Sequence, residues 1–304
     1  MRPMKHFLEI SQLTKEETRH LIDRALEFKR SKQHPAYKEY TVANLFYENS
    51  TRTRISFELA AKHLNMNVIN VDLQNSSETK GEIIEDTMQT LAAMGIRYFV
   101  IRHKQEGLQQ VLADKIKNIH IINAGDGTHA HPSQALLDMM TIIEQKQDPA
   151  SLKIAVLGNI RHSRVAHSFQ CICQQFNVKD LVMVAPPIWQ PHKTHYGRST
   201  DDLKEGLADA DVIMCLRVQK ERLLEHEHLD LAAYRRDFAL TQKALAYAKP
   251  DVMVMHPGPM NREVEIDSQV ADGDKSFILQ QVTNGIYARM AILESLISAS
   301  LPLN

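Results

Sequence analysis

Short apolar runs alternate with longer amphipathic stretches along the first half of the chain. Runs of strand length lie near residues 42–47, 67–72, 98–102 and 120–123. Between and after them, apolar residues recur every three or four positions, which is the spacing of one helix face. These helical stretches lie near 53–64, 82–94, 105–112 and 133–145. Strands that alternate with helices in this way predict βαβ units and a parallel sheet.

The same alternation begins again after a polar, proline-containing stretch at 147–150. Further strands are predicted near 153–158, 181–185, 211–216 and 251–255, and a long amphipathic helix near 285–301. A chain of 304 residues is longer than one hydrophobic core usually holds. We therefore predict an α/β fold with two doubly wound domains, 1–147 and 148–282, each with a mainly parallel sheet flanked by helices.

The first helix has a start signal of its own. Thr14 followed by Glu17 matches a capping box, in which each side chain bonds the other residue's backbone N–H. Apolar residues then follow at helical spacing: Leu21, Ile22, Ala25 and Phe28. We expect a helix that begins at Thr14 and buries this face.

Charge and hydropathy exclude several classes of protein. Lys plus Arg is 36 and Asp plus Glu is 37, so nucleic acid and anionic membranes are not expected as main partners. No apolar run approaches the roughly 18 residues of a membrane span. Because the N-terminal residues also lack the apolar core of a signal peptide, a cytoplasmic location is expected.

The cysteines and histidines do not form a recognisable metal or disulfide pattern. The three cysteines, Cys171, Cys173 and Cys215, stand in apolar surroundings, so we expect reduced, buried thiols. The fifteen histidines are scattered, and neither cysteine nor carboxylate completes a zinc pattern around His129 and His131. The sequence predicts neither a metal site nor a cofactor.

Cationic, hydroxyl and amide side chains follow the ends of the predicted strands. Doubly wound sheets bind their ligands at the carboxyl ends of the strands. Six such ends carry this chemistry, at 50–54, 102–103, 131–134, 161–164, 217–219 and 256–259. Each could be explained singly, for instance Arg102 as a surface charge. Their joint occurrence indicates an anion-binding site.

The segment 50–54 is the most informative of these six. It reads Ser-Thr-Arg-Thr-Arg and lies between a predicted strand and a predicted helix. A helix N-terminus presents free backbone N–H groups, and arginine binds phosphate oxygens through a planar fork. An ordinary serine or threonine helix cap with two solvated arginines is the alternative.

Several longer segments resemble the transcarbamoylase family. Segment 46–54 is similar to the family's carbamoyl-phosphate signature, and 131–138 is similar to its second signature. Segments 217–222 and 256–262 resemble the aspartate branch, whereas the ornithine branch carries a cysteine where this chain has Pro257. The resemblance runs in order to 284–289 and covers nearly the whole chain. It implies a C-terminal helix, within 283–304, that packs back on the first domain.

The resemblance assigns a first set of residues to carbamoyl phosphate. Ser50, Thr51, Arg52 and Thr53 would hold the phosphate, and Thr53, Arg102 and His131 would surround the carbonyl oxygen. Gln134 and the backbone carbonyls near Pro257 and Gly258 would accept hydrogen bonds from the carbamoyl amide.

A second set is assigned to L-aspartate. Arg164, Arg217 and Gln219 would grip its two carboxylates, and Glu221 would orient Arg217. The polar loop 74–82 would reach into a neighbouring subunit's site, where Ser76 would bind aspartate and Lys80 would contact both substrates.

The implied reaction transfers the carbamoyl group of carbamoyl phosphate to L-aspartate, giving N-carbamoyl-L-aspartate and phosphate in the committed step toward pyrimidines. The resemblance also implies a homotrimer with shared active sites. Zinc-containing regulatory chains or dihydroorotase-like subunits are possible further partners. Two alternatives stay open at this point: a transcarbamoylase with another amine acceptor, and a weakly active trimeric chain that scaffolds a partner enzyme.

Overall fold

The computed structural model describes residues 4–31, 33–73, 81–218 and 230–300. The chain divides into two compact units, one made of 1–140 with 283–304 and the other of 141–282. The first unit therefore ends inside a helix, and the domain boundary predicted after residue 147 stays a prediction.

The sheet of the first unit has four parallel strands in the order β2-β1-β3-β4. They are β1 (Thr41–Phe46), β2 (Asn67–Asn70), β3 (Tyr98–His103) and β4 (His120–Asp126). The helices are α1 (Lys15–Arg30), α2 (Thr51–His63), α3 (Ile84–Ala93), α4 (Leu108–Lys115) and α5 (Pro132–Lys146). Each element lies within a few residues of its predicted position. The strand and helix patterns of apolar residues are both pronounced in this part of the chain.

The start of α1 confirms the capping box. The Thr14 hydroxyl accepts from the Glu17 N–H at 3.1 Å, and the Glu17 carboxylate accepts from the Thr14 N–H at 2.9 Å. The predicted apolar face is buried: Leu21, Ile22, Ala25 and Phe28.

Helix α2 buries Phe57 but leaves its two large aliphatic residues, Ile55 and Leu59, partly exposed. Ile55 and Leu59 are 44% and 37% exposed, whereas Phe57, Ala60 and Ala61 are buried. Small side chains allow the helix to lie close to its neighbours, so the packing of the unit overrides the local apolar stripe.

The sheet of the second unit has five parallel strands in the order β7-β6-β5-β8-β9. They are β5 (Lys153–Leu157), β6 (Asp180–Val184), β7 (Arg198–Thr200), β8 (Val212–Cys215) and β9 (Met253–Met255). The helices are α6 (Arg164–Gln175), α7 (Leu203–Leu207), α8 (Leu231–Phe238), α9 (Gln242–Leu245) and α10 (Ser268–Ala271). The edge strand β7 is short and polar, so the hydrophobic pattern did not predict it.

The last helix, α11 (Ile278–Ser300), begins seven residues before its predicted start at 285. Its part from residue 283 onward belongs to the first unit, which confirms the predicted return. The Arg24 guanidinium of α1 donates to both carboxylate oxygens of Glu294, at 2.5 and 2.8 Å. Lys29 donates to the Asn284 side chain at 2.9 Å. A bidentate arginine–carboxylate pair of this kind fixes the orientation of both partners.

Two of the three cysteines are buried as predicted, Cys173 and Cys215, whereas Cys171 is partly exposed. All three are free thiols, and burial raises the pKa of Cys215. Among the residues that the structure describes, none of the helices combines the length and apolarity needed to cross a membrane. The same residues contain no group of three or more histidine, cysteine, aspartate or glutamate side chains that could hold a metal ion.

Candidate active site

The carboxyl edge of the first sheet brings Arg102 next to the ends of two other strands. The Arg102 Nε lies 3.4 Å from a carboxylate oxygen of Glu48, which follows β1. Its Nη1 donates to the carbonyl of Ala124 in β4 at 3.4 Å. The pairing of β3 with β4 shifts register between Ile101 and His103, on either side of Arg102. Such irregularities commonly redirect a side chain at a site, and Arg102 is only 13% exposed.

The start of α2 presents the predicted phosphate ligands. Ser50 stands at the N-cap position of α2. Among the described residues 50–63, the Ser50 hydroxyl accepts no hydrogen bond from a backbone N–H of the helix. Arg52 is exposed, Thr53 is 6% exposed, and the first turn contains no acidic residue. A capping role for the Ser50 side chain is therefore wrong, whereas the exposure of Arg52 and Arg54 agrees with the solvated arginines of the alternative. An uncapped helix start with an adjacent arginine is suited to an anion.

The loop between β4 and α5 is held by one buried carboxylate, Asp126. Its two oxygens accept from the backbone N–H groups of Gly107 and Ala130 at 3.0 and 2.9 Å. They also accept from the Asn123 amide at 3.1 Å and from His129 at 3.0 Å. Asp126 thus fixes the chain directly before His131. The role of Asp126 was not predicted from the sequence, although a single acidic residue between Gly125 and Gly127 is a usable signal for such an anchor.

The pair Asp126–His129 shifts the pKa of both groups. The hydrogen bond to Asp126 raises the pKa of His129 to about 9, against the opposing effect of partial burial. Burial by itself raises the pKa of Asp126, but the hydrogen bonds from His129, Gly107 and Asn123 hold it below its usual value. The imidazolium therefore persists at neutral pH and stabilises the loop.

Raising the pH should weaken this pair. Because the folded-state pKa of His129 lies above its ordinary 6.5, its stabilisation is complete below pH 6.5 and is lost as the pH rises through about 9. We expect about 1 kcal/mol, after allowance for solvent screening of a side chain that is 43% exposed. The difference in Tm between wild type and His129→Gln should therefore shrink between pH 6.5 and pH 9.5. The exposed His192→Gln variant is the control, and an unchanged difference would contradict the assignment.

His131 and Gln134 lie at the start of α5. The His131 carbonyl accepts from the backbone N–H groups of Gln134 and Ala135 at 3.1 and 3.2 Å. His131 is 4% exposed and Gln134 is 8% exposed. The Gln134 side-chain amide donates to Asp138, one helical turn on, at 2.9 Å. The structure thus holds both predicted ligands rigidly within the first unit.

In the second unit, Arg164 is the first residue of α6 and is 6% exposed. The preceding Ser163 caps the helix, since its hydroxyl accepts from the Ala166 N–H at 3.2 Å. Gly158 precedes this turn with a φ of +123°, and an added Cβ would meet the Leu216 carbonyl at 2.9 Å. Glycine is therefore required where β5 passes the end of β8.

A buried glutamate, Glu265, connects the chain next to Arg217 with the turn at 256–261. Its carboxylate accepts from the Val218 N–H at 3.4 Å and from both the backbone and the side-chain amide of Asn261. The Asn261 amide in turn donates to the Val218 carbonyl at 3.0 Å. Glu265 is only 2% exposed. Glu265 was not predicted from the sequence, because nothing local marks a glutamate that bonds a residue 47 positions away.

The histidine of the same turn, His256, has a defined tautomer. Its Nδ1 accepts from the Gly258 N–H at 2.8 Å, so the ring proton lies on Nε2, which is 3.3 Å from Glu265. Its backbone N–H donates to Gln281 at 2.8 Å. These bonds hold Pro257 and Gly258 in one conformation.

Replacing Glu265 by glutamine should destabilise the second unit. The substitution turns one acceptor oxygen into an amide donor that faces other donors, which typically costs roughly 1–3 kcal/mol. Thermal unfolding should show a clear fall in Tm. Glu263→Gln is the matched control, because that side chain is 55% exposed and its ion pair with Arg235 lies at the surface. Equal Tm values for the two variants would contradict the assigned role.

Four predicted site residues lie outside the described residues: Ser76, Lys80, Gln219 and Glu221. Their assignments stay predictions. The remaining predicted residues fall into two groups, with Ser50, Thr51, Arg52, Thr53, Arg102, His131 and Gln134 in the first unit and Arg164, Arg217, Pro257 and Gly258 in the second.

Comparison with known families and structures extends these observations to the whole chain. Residues 5–144 match the carbamoyl-phosphate-binding domain of the aspartate/ornithine carbamoyltransferases. Residues 150–296 match the aspartate/ornithine-binding domain of the same family. The two matches together leave few residues unaccounted for.

Individual relatives agree with the family matches. The aspartate carbamoyltransferase catalytic subunit of Legionella pneumophila (strain Corby) is 71% identical over 297 residues, which cover 97% of this chain and 100% of the relative. The same subunit from Ruthia magnifica is 47% identical over 304 residues, with coverages of 97% and 94%.

Two solved structures also resemble this chain. Aspartate transcarbamoylase from Trypanosoma cruzi, in complex with N-(phosphonacetyl)-L-aspartic acid, is 28% identical with a TM-score of 0.89 over 97% of this chain and 96% of that one. Ornithine carbamoyltransferase from Pyrococcus furiosus is 26% identical with a TM-score of 0.85 over 98% and 99%. With arginine, histidine and hydroxyl side chains at the predicted strand ends, and with family matches over both halves, the chain belongs to the aspartate/ornithine carbamoyltransferase family.

Proposed function

We propose that the chain transfers the carbamoyl group of carbamoyl phosphate to the amine of L-aspartate, giving N-carbamoyl-L-aspartate and phosphate. The observation that carries this proposal is the 71% identity over the full length of an aspartate carbamoyltransferase catalytic subunit. The structural neighbours include both branches of the family, so the fold alone leaves the acceptor open. The reaction is the committed step toward pyrimidines.

The first unit provides the ligands for carbamoyl phosphate. Arg52 and the start of α2, with Ser50, Thr51 and Thr53, bind the phosphate. Arg102, His131 and Thr53 donate to the carbonyl oxygen, on which negative charge grows as the aspartate amine attacks. The carbon–nitrogen bond forms, the amine gives one proton to the departing phosphate, the bond from carbon to the phosphate oxygen breaks, and phosphate leaves. Fixed donors lower this barrier because they need no reorganisation as the charge develops.

The second unit provides the ligands for the acceptor. Arg164 and Arg217 pair with the two carboxylates of aspartate, and forked arginines suit carboxylates better than lysines do. Glu265 supports this role, since it fixes Val218, the neighbour of Arg217. Gln219 adds an amide, Glu221 orients Arg217, and the carbonyls near Pro257 and Gly258 accept from the carbamoyl amide.

We extend the proposal to the assembly and location of the chain, for which the resemblance to the family is the support. The chain forms a homotrimer in the cytoplasm, and the loop with Ser76 and Lys80 completes the site of a neighbouring subunit. Regulatory or dihydroorotase-like chains are candidate partners of the trimer, and the mass of the native particle distinguishes these assemblies.

A panel of acceptors tests the proposed function. The purified full-length chain is supplied with carbamoyl phosphate and, in turn, L-aspartate, L-ornithine and a polyamine, while phosphate release is measured. Turnover with aspartate alone is expected. Turnover with ornithine or the polyamine, and none with aspartate, would show a different transcarbamoylase. Phosphate binding without turnover on any amine would favour the scaffolding alternative.

A further inference from the structure

A buried row of polar contacts leads from Gln134 into the interior of the first unit. The Gln134 side-chain nitrogen donates to Asp138 Oδ1 at 2.9 Å, and Asp138 is fully buried. Arg289 of α11 is 3% exposed and interacts electrostatically with Asp138. Gln134 is the only one of these three residues that the proposed chemistry uses.

Helix α11 is shaped to bring Arg289 to this place. Arg289 Nη1 donates to the Gly285 carbonyl at 2.9 Å, and its guanidinium carbon lies 4.9 Å from the centre of the Phe57 ring of α2. A Cβ at Gly285 would lie 2.5 Å from Nη1 and 3.3 Å from Leu137. Gly285 therefore leaves the space that Arg289 occupies. This explains why a glycine stands inside a long helix, where it is otherwise unfavourable.

Arg289 keeps a positive charge beside Asp138. Burial lowers the pKa of Arg289 to about 10, while the charge of Asp138 opposes this shift. At neutral pH the guanidinium is still protonated, so its positive charge acts on Asp138.

We propose that Asp138 is a positioning residue that fixes the amide orientation of Gln134, so that its oxygen is available to the NH₂ group of carbamoyl phosphate. The proposal rests on the proposed function. An ionised carboxylate only accepts hydrogen bonds, so it selects the amide orientation with nitrogen toward itself. In the opposite orientation the Gln134 amide oxygen would face an Asp138 carboxylate oxygen, and both are acceptors. The Gln134 NH₂ would then face the NH₂ of the substrate, so that two donors would meet and the acceptor would be lost.

This arrangement distinguishes carbamoyl from acyl groups of the same shape. A carbamoyl group has an NH₂ donor, whereas an acetyl group has a methyl group at that position. A site built to pair with a substrate N–H group discriminates against analogues that lack it. Asp138 therefore acts on selectivity for the NH₂ group and leaves binding of the phosphate and of aspartate largely unchanged.

The variant Asp138→Asn tests the proposal. Asparagine keeps the shape of aspartate, but its NH₂ can donate to the Gln134 oxygen, which allows the Gln134 side-chain amide to flip by 180°. Two quantities are compared with wild type: kcat/KM for carbamoyl phosphate and the inhibition constant of N-(phosphonacetyl)-L-aspartate. The carbonyl carbon of this inhibitor carries the aspartate amide N–H but lacks the separate NH₂ group of carbamoyl phosphate. We expect kcat/KM to fall roughly tenfold or more, which corresponds to the loss of one good hydrogen bond, while the inhibition constant changes less than about twofold.

A double-mutant cycle separates positioning from general damage. In a Gln134→Ala background, Asp138→Asn should have little further effect on kcat/KM if it acts through Gln134. Where Asp138→Asn fails to fold, Asp138→Ala combined with Arg289→Leu removes the buried pair together and leaves no lone charge. For this double variant we again expect kcat/KM for carbamoyl phosphate to fall while the inhibition constant of N-(phosphonacetyl)-L-aspartate changes little.

The outcomes are distinct. Equal losses for carbamoyl phosphate and for the inhibitor, or no change in either, would overturn the positioning role of Asp138. An additive cycle would also overturn it. Wild-type chain without turnover on carbamoyl phosphate and aspartate would instead refute the proposed function.

Discussion

Replacing Arg102 by alanine is expected to lower kcat by roughly 10²–10³, the typical cost of losing one well-placed donor to a developing oxyanion. Arg102 sits at the carboxyl end of β3, on the central part of the first sheet, where its neighbours limit its movement. Its contacts with Glu48 and with the Ala124 carbonyl hold the guanidinium in place before substrate binds. Such preorganisation is what makes a donor effective in the transition state.

Arg97→Ala is the matched control for this prediction. Arg97 directly precedes the same strand, at the opposite end of the sheet, and its guanidinium donates to the Ala92 carbonyl. Its removal should leave kcat within about twofold, as for most surface substitutions. Arg102→Lys should fall between wild type and Arg102→Ala, since lysine keeps the charge but lacks the fork. A kcat for Arg102→Ala close to that of wild type would contradict the assigned role, provided that the variant's Tm is unchanged.

Mixing two inactive variants is expected to restore activity. In the proposed trimer each site combines Arg52 of one chain with Lys80 of its neighbour. Arg52→Ala and Lys80→Ala should each be nearly inactive alone. The two variants are unfolded, mixed in equal amounts and reassembled. A complete site takes Arg52 from a Lys80→Ala chain and Lys80 from a neighbouring Arg52→Ala chain, so roughly a quarter of the sites should hold both native residues.

The doubly substituted chain, Arg52→Ala with Lys80→Ala, provides the control for mixing. Reassembled with Arg52→Ala alone, it leaves all sites without native Arg52, so activity should stay at the level of the parents. The assay is phosphate release at saturating substrates, and native mass confirms the particle. Reassembled particles of the correct mass that stay inactive would contradict a site shared between subunits.

Local signals in the sequence predicted the elements that depend on near neighbours. The Thr14 capping box, the βαβ alternation and the chemistry at the strand ends all involve residues a few positions apart. Parallel strands place their carboxyl ends at one edge of a sheet, so the position of Arg102 at the end of β3 and of Ser50 before α2 could be predicted without coordinates. The resemblance to a family then assigned roles to those residues.

Other features depended on contacts between distant parts of the chain. The exposure of Ile55 and Leu59, the short edge strand β7 and the early start of α11 all differ from the local pattern. In each case the packing of a whole unit outweighs the local preference, which amounts to only tenths of a kcal/mol per residue.

The sequence by itself determined the α/β class, the order of the elements and the residues that end the strands, because hydrophobic period and turn chemistry are local properties. Only the tertiary structure showed which buried groups support those residues. Asp126 fixes the chain before His131, and Glu265 bonds Val218 across 47 positions. Arg289, from the far end of the chain, interacts electrostatically with Asp138. These partners satisfy hydrogen-bonding groups that folding has removed from water, and the identity of such a partner is set by proximity in the folded chain.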